Sequence, residues 1–204
     1  MKADVREQIL NATVGFLRDD REPANITVRE IAAEAGVQLG MINYYFRSKD
    51  ELLYQAVCAL RVKAAQKWLS VKESNVSAYE RLRGVLIAIC DMSVKHSRYM
   101  RFAVTYELTK AEIVIPDYVF ALIREVCGNA HSEIRIRTIA YEIRSLLQLN
   151  FLRAADLKKY LGIDMLEYGR MVAGIDSILA LYFPGHQISG GAGTQKVKKE
   201  NNQN

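Results

Sequence analysis

The chain has 204 residues, of which 50% are hydrophobic and 25% charged, enough apolar material for one large domain or two small ones sharing a core. Only three prolines and twelve glycines exclude a fibrous or largely disordered protein, and no run of about eighteen apolar residues exists to cross a membrane. The net charge of +5 invites a nucleic-acid partner, yet residues 1–50 carry seven Lys and Arg against eight Asp and Glu. The basic excess lies in residues 51–185, with eighteen against fourteen, and in residues 186–204, with three against one. Charge alone therefore decides nothing, and the case must come from local pattern. The N-terminus lacks the apolar segment of a secretory signal, and Cys58, Cys90 and Cys127 are odd in number and far apart. Both point to a reducing, cytoplasmic setting with buried thiols rather than a disulfide frame.

An all-α chain of about nine helices is predicted. Strand-like alternation is absent, and several helix starts pair a small polar residue with a carboxylate three positions on. These are Asp4/Glu7, Thr27/Glu30, Ser48/Glu51, Ser77/Glu80 and Asp164/Glu167. The first helix is expected from Asp4 to Arg18, with Ile9, Ala12, Val14, Phe16 and Leu17 toward the core. A polar turn follows over Asp19–Asn25. Two short helices come next, Thr27–Ala35 and Gln38–Tyr44, separated by Gly36 in the left-handed position after a helix end. Ser48 caps a much longer helix reaching Ser70. The remaining helices are expected at Ser77–Lys95, Arg98–Leu108, Pro116–Cys127, Glu133–Arg153 and Leu166–Phe183, ended by Pro184-Gly185. Residues 186–204 read as a polar tail, whose Lys196, Lys198 and Lys199 suit a solvated segment. There is no internal repeat.

Two short helices joined by a Gly turn and packed on a preceding helix make a helix-turn-helix. Ile31 and Ala32 face the first helix, Ala32 and Ala35 are small enough for a close crossing, and Val37 plugs the turn. Ile42 and Phe46, four apart, close the inner face of the second short helix. Gly40, Met41, Asn43 and Tyr44 are left pointing outward, with Gln38 and Leu39 at the first turn. Gln38 can read a base edge in the major groove, Leu39 and Met41 can press on a thymine methyl, and Gly40 lets backbone approach the duplex. A helix N-terminus and the hydroxyls of Thr27 and Tyr45 can bind phosphate without formal charge.

Residues 5–57 resemble the DNA-binding head of TetR-type (TetR/AcrR) one-component transcriptional regulators. The resemblance is carried by Ile26-Thr27-Val28-Arg29-Glu30-Ile31-Ala32, Ala35-Gly36-Val37, Ile42-Asn43-Tyr44-Tyr45-Phe46 and Ser48-Lys49, then Glu51-Leu52-Leu53. It covers about a quarter of the chain, and the run into a long fourth helix makes it specific. It implies that Arg29 and residues 38–41 meet bases, and that Thr27, Asn43, Tyr45 and Lys49 meet phosphates. Gln38, Leu39 and Asn43 depart from the family's usual small hydroxyl, polar and Tyr residues at those positions.

The resemblance divides the chain into a three-helix DNA-binding domain, residues 1–47, and a helical ligand-binding and dimerisation domain, residues 48–185, with 48–70 the connecting helix. Apolar faces on two helices suit a four-helix contact between subunits of a homodimer: Ile139, Ile143 and Leu147 on one, Ile175 and Ile178 on the other. On that second helix Gly169, Ala173 and Ser177 form a ridge of small residues. A two-fold dimer would read a palindromic operator on double-stranded DNA with its two heads about 34–36 Å apart. Tyr99, Phe102, Tyr106 and Tyr118 with Glu107 either line a pocket for an unknown small-molecule effector or form ordinary core. Such an effector would shift the helix linking core and head and release the DNA, the behaviour of a repressor. Cys127 and His131 have a chelating spacing, but Gly128-Asn129 interrupts the helix and no further ligand is near, so neither metal nor cofactor is expected. No Ser, His and acid grouping and no Gly-rich phosphate loop is present. That leaves a helical enzyme or a protein-interaction module with an accessory helix-turn-helix as the alternatives.

Overall fold

The computed structural model describes residues 4–19, 21–70 and 76–186. The described residues form ten α-helices and no strand: α1 Val5–Arg18, α2 Val28–Ala35, α3 Leu39–Phe46, α4 Lys49–Leu69, α5 Ala78–Lys95, α6 Ser97–Thr109, α7 Asp117–Cys127, α8 Glu133–Leu152, α9 Ala154–Leu161 and α10 Tyr168–Tyr182. Short 3₁₀ turns occupy Pro23–Asn25 and Gly128–Ala130. No described helix is long and apolar enough to cross a membrane. The expected tail, with Lys196, Lys198 and Lys199, lies outside the described residues.

The capping signals translate unevenly. Thr27/Glu30 and Ser77/Glu80 form the full reciprocal box, while Ser48 accepts from the Glu51 amide without the return bond. Asp4 caps α1 through the Arg6 amide instead. At the last helix Glu167 is itself the cap, accepting from the amides of Gly169 and Arg170, so α10 begins at Tyr168 rather than Leu166. Asp164 instead accepts from the Leu166 amide in the preceding turn. The tenth helix, α9, was not expected. It begins after Arg153 without a side-chain cap and stops at Gly162, whose φ of 69° is left-handed. Eight residues with Lys158 and Lys159 in the last turn and a glycine beyond carry that ending in sequence, but too short a period to show a face.

Two apolar clusters organise the molecule. The first joins α1, α2 and α3 to the N-terminal half of α4, and includes Ile9, Leu17, Ile31, Ile42, Phe46, Leu52 and Leu53. It extends beyond residue 47: Tyr99, Met100, Ala103 and Val104 of α6 and Phe151 of α8 belong to it. The second holds the C-terminal end of α4 together with α5, α7, α8 and α10. α4 thus runs through both, packed on α1 at one end and on α5 and α6 beyond.

In the second cluster α5 packs closely on α4 at Gly84. A methyl group at Gly84 would overlap the Trp68 indole, with two ring carbons 2.5 Å away. A flat ring wedged between helices cannot yield by rotating a terminal bond, so Gly84→Ala should cost about 1–3 kcal/mol through overpacking. A lower midpoint in chemical denaturation is the expected reading. An unchanged midpoint would show that the ring turns aside freely.

Candidate functional site

The head presents its second short helix as an exposed face on a rigid base. Ile42 and Phe46 are fully buried, as are Ile31 and Ile26 beneath them. Gly36 ends α2 with φ 66°, a backbone that L side chains rarely adopt, and Val37 folds back on the cluster. The Val37 amide donates to Ala32 O at 3.0 Å and closes the turn. With the inner face locked, Gln38, Leu39, Gly40, Asn43 and Tyr44 stand exposed, Tyr44 at 78%. Met41 and Tyr45 are half-buried against the head's core, and the Tyr44 and Tyr45 rings meet edge to face with centroids 5.0 Å apart. Arg29 is exposed on α2. Arg47, between α3 and α4, holds a positive φ of 45°, an uncommon backbone for a side-chain-bearing residue.

Two residues expected to touch phosphate are engaged otherwise. The Thr27 hydroxyl donates to Glu30 Oε2 at 2.7 Å and accepts from the Glu30 amide, so its proton serves the capping box. The hydroxyl's bond, the Thr27 backbone N–H donating to the same Oε2 at 2.9 Å and the Arg21 ion pair at 2.9 Å hold the Glu30 carboxyl down at about 2. Lys49 Nζ donates to three backbone carbonyls, Ile26 at 3.1 Å and Pro23 and Ala24 at 3.3 Å. It stitches the turn before α2 to the start of α4, with all three ammonium protons engaged.

Among α4, α5, α6, α7, α8 and α10 lies a partly open cavity of about 130 Å³. Its wall is mostly aliphatic, with Leu86, Ile89, Ile143, Leu147, Met171 and Ile175 among the lining side chains. Of the five residues expected to line a pocket, Glu107 and Tyr118 do so. Tyr99 does not: it is 2% exposed in the head-side cluster, stacked on His96 with ring centroids 5.2 Å apart. Phe102 and Tyr106 lie along a separate surface groove with Asp50 and Lys110, and Tyr106 packs on Tyr54 of α4 at 5.1 Å. The reason is helical phase. Val104 and Glu107, three apart, share the cavity face of α6, while Phe102 and Tyr106, four apart, share another.

Sequence reasoning missed the partners of Glu107. Arg61 of α4 hydrogen-bonds Glu107 Oε1, Arg144 of α8 lies 3.1 Å from the same oxygen, and Gln148 donates to Oε2 at 2.6 Å. Arg144 also donates to the backbone carbonyl of Val114 in the α6–α7 connection. The Glu107 side chain is 3% exposed. Burial by itself would push its carboxyl up, but Arg61 and Arg144 outweigh that and hold it below the usual carboxylate range. Glutamate and arginines lie 46 and 37 positions apart, so no local period connects them; an arginine beside Ile143 and before Leu146-Leu147 was the one available hint.

The apolar residues expected at a subunit contact lie largely inside the chain. Ile139, Ile143, Ile175 and Ile178 are buried in this chain's own second cluster, and Leu147 lines the cavity. They cannot also form a surface, because one helix face packs only once. Gly169, Ala173 and Ser177 are exposed on α10. Exposed apolar side chains also occur on these helices, Tyr168 and Leu181 on α10 and Ile134, Tyr141 and Leu149 on α8. No group of three or more His, Cys, Asp or Glu suited to a metal occurs among the described residues. Cys127 is the last residue of α7, and the following 3₁₀ turn takes His131 off that helix face.

A sequence profile described as "Bacterial regulatory proteins, tetR family" matches residues 19–56. The chain is 25% identical over 168 residues to the probable HTH-type transcriptional regulator YttP of Bacillus subtilis (strain 168), covering 75% of this chain and 80% of that one. Its fold is similar to that of Thermus thermophilus FadR, a TetR family transcriptional repressor crystallised in complex with lauroyl-CoA, with a TM-score of 0.65 at 18% identity over 93% of this chain and 99% of that one. A TetR transcriptional regulator from Rhodococcus sp. RHA1 superposes with a TM-score of 0.58 at 16% identity, covering 90% of this chain and 97% of that one.

Proposed function

We propose that this chain, whose residues 19–56 match the bacterial regulatory proteins of the tetR family, is a ligand-released, dimeric repressor of that family acting at a palindromic operator. The carrying observation is the exposed first turn of α3 on a helix anchored in the head's core by the fully buried Ile42 and Phe46. Gln38, Leu39 and Gly40 enter the major groove, Asn43, Tyr44 and Tyr45 follow along its wall, and Met41 braces the helix from the side. Arg29 meets a base or phosphate from α2. Thr27 and Lys49 act indirectly, by fixing the turn from which α2 starts.

Two subunits join through the exposed apolar side chains of α8 and α10, where Gly169, Ala173 and Ser177 allow a close helix approach. The effector occupies the cavity around Glu107. The lauroyl-CoA complex of the Thermus protein supports a small-molecule-responsive core in this fold. Coupling runs through α6 as well as α4. Glu107 faces the cavity, Met100 and Ala103 lie in the head's core, and Lys110 pairs with Asp50 at the start of α4 at 3.0 Å. An effector shifts the heads only by binding the DNA-incompetent arrangement more tightly.

Gel-shift titration with DNA upstream of the chain's own gene should yield a salt-sensitive complex at a palindrome. Arg29→Ala should weaken it and flatten its dependence on salt by about one counterion per half-site. No complex at any salt concentration, or a single subunit in light scattering, would sink the proposal.

A further inference from the structure

We infer that the cavity takes a small monoanionic acid, a carboxylate on an apolar body of about six to eight carbons, whose head group is held by Arg61 and Arg144. The inference rests on the cavity being the effector's site and names the class of compound that fills it. Three charged side chains line the wall, Arg61, Glu107 and Arg144. Two guanidinium groups converge on one carboxylate, with a side-chain amide on its second oxygen. Glu107 is already ionised in this setting. The neighbouring thiols and phenols supply no second negative charge at neutral pH, because burial pushes Cys58 and Tyr118 up and Cys90 up to about 12. The site therefore carries one uncompensated positive charge inside an aliphatic wall.

Arg61 is one of the two cationic side chains on the cavity wall. Its side chain is 13% exposed and that of Arg144 21%, so both arginines present part of their surface to the cavity they line. A guanidinium presents parallel N–H donors that match the two oxygens of a carboxylate. One further negative charge balances the cluster, whereas a dianion would overshoot it. Size sets the rest of the molecule. A dry apolar cavity of roughly 150 Å³ holds one benzene ring, so about 130 Å³ suits a single ring or a short chain.

The test is calorimetric titration of the full-length protein, without DNA, using octanoate and benzoate against octanol and benzamide. Both acids should bind, and the neutral analogues should bind roughly ten- to a hundredfold more weakly. Arg144→Gln should weaken octanoate by about tenfold or more. Glu107→Gln removes the internal competitor and should strengthen it by a similar factor. Should that variant be partly unfolded, octanoate should raise its thermal midpoint further than it raises that of the parent. Equal binding of acid and alcohol, tighter binding of octanoyl-CoA than of octanoate, weaker acid binding by Glu107→Gln, or no binding of either acid at millimolar concentration would each overturn the inference. Acid binding that leaves the operator complex intact upholds the site and overturns its effector role. Failure of the acids with an operator complex still forming overturns this inference alone.

Discussion

Phe46→Ala should lower stability by about 3–5 kcal/mol, the cost of emptying a fully enclosed aromatic site. Phe46 is 0% exposed and closes the head's core together with Ile9, Leu17, Ile31, Ile42 and Leu53. The Arg6 guanidinium covers its ring at 5.1 Å, so truncation also removes a cation–π contact. Because the same cluster contains Met100 and Ala103 of α6, the loss should reach the larger domain. Denaturation followed by far-ultraviolet circular dichroism should show a lower midpoint. DNA binding should fall with it, although Phe46 touches no base in the proposed complex. A variant that keeps the parent's midpoint would mean that the inner face of α3 is not the anchor for its outer face.

The second large effect belongs to Glu107. Glu107→Leu should cost about 3–5 kcal/mol at neutral pH, because it leaves Arg61 and Arg144 facing each other without their shared carboxylate. With the side chain only 3% exposed, water replaces its two charge-assisted bonds poorly. The pH dependence has a definite sign. The folded protein holds this carboxyl below its ordinary value of 4.5, so between the two values the unfolded chain binds more protons. The contribution is complete above about 4.5, erodes as the pH falls below that, and ends beneath the depressed folded value. The stability gap between parent and Glu107→Leu should therefore narrow on acidification. A gap constant from neutral pH to pH 3 would show that the carboxylate's charge is not what the arginines need.

Much of the head was legible because its determinants are local. Gly36 between two short apolar periods predicts the turn, and Ile42 with Phe46 predicts which side of α3 is buried. The outward set Gln38, Leu39, Gly40, Met41, Asn43 and Tyr44 follows by exclusion; five of the six are exposed, while Met41 is half-buried against the head's core. Less legible was the work of the polar residues. Nothing in the spacing of Lys49 reveals that its ammonium is shared among three carbonyls 23 to 26 positions earlier. The aromatic stripe of α6 misled for a similar reason. Tyr99, Phe102 and Tyr106 look like one set in sequence, but a helix packed on several sides divides them between the head's core and a surface groove.

The chain's own residues determined the helical class, the turn at Gly36 and the outward face of α3, since caps and apolar periods act over three to eight positions. Tertiary structure alone decided that Arg61, Arg144 and Gln148 meet Glu107, and that Ile139, Ile143, Ile175 and Ile178 are spent inside the chain. The physical reason is that an amphipathic helix announces that it has an apolar face without naming what covers it. Which neighbour covers it, and what charge is trapped between them, is settled only when α4, α6, α8 and α10 pack together.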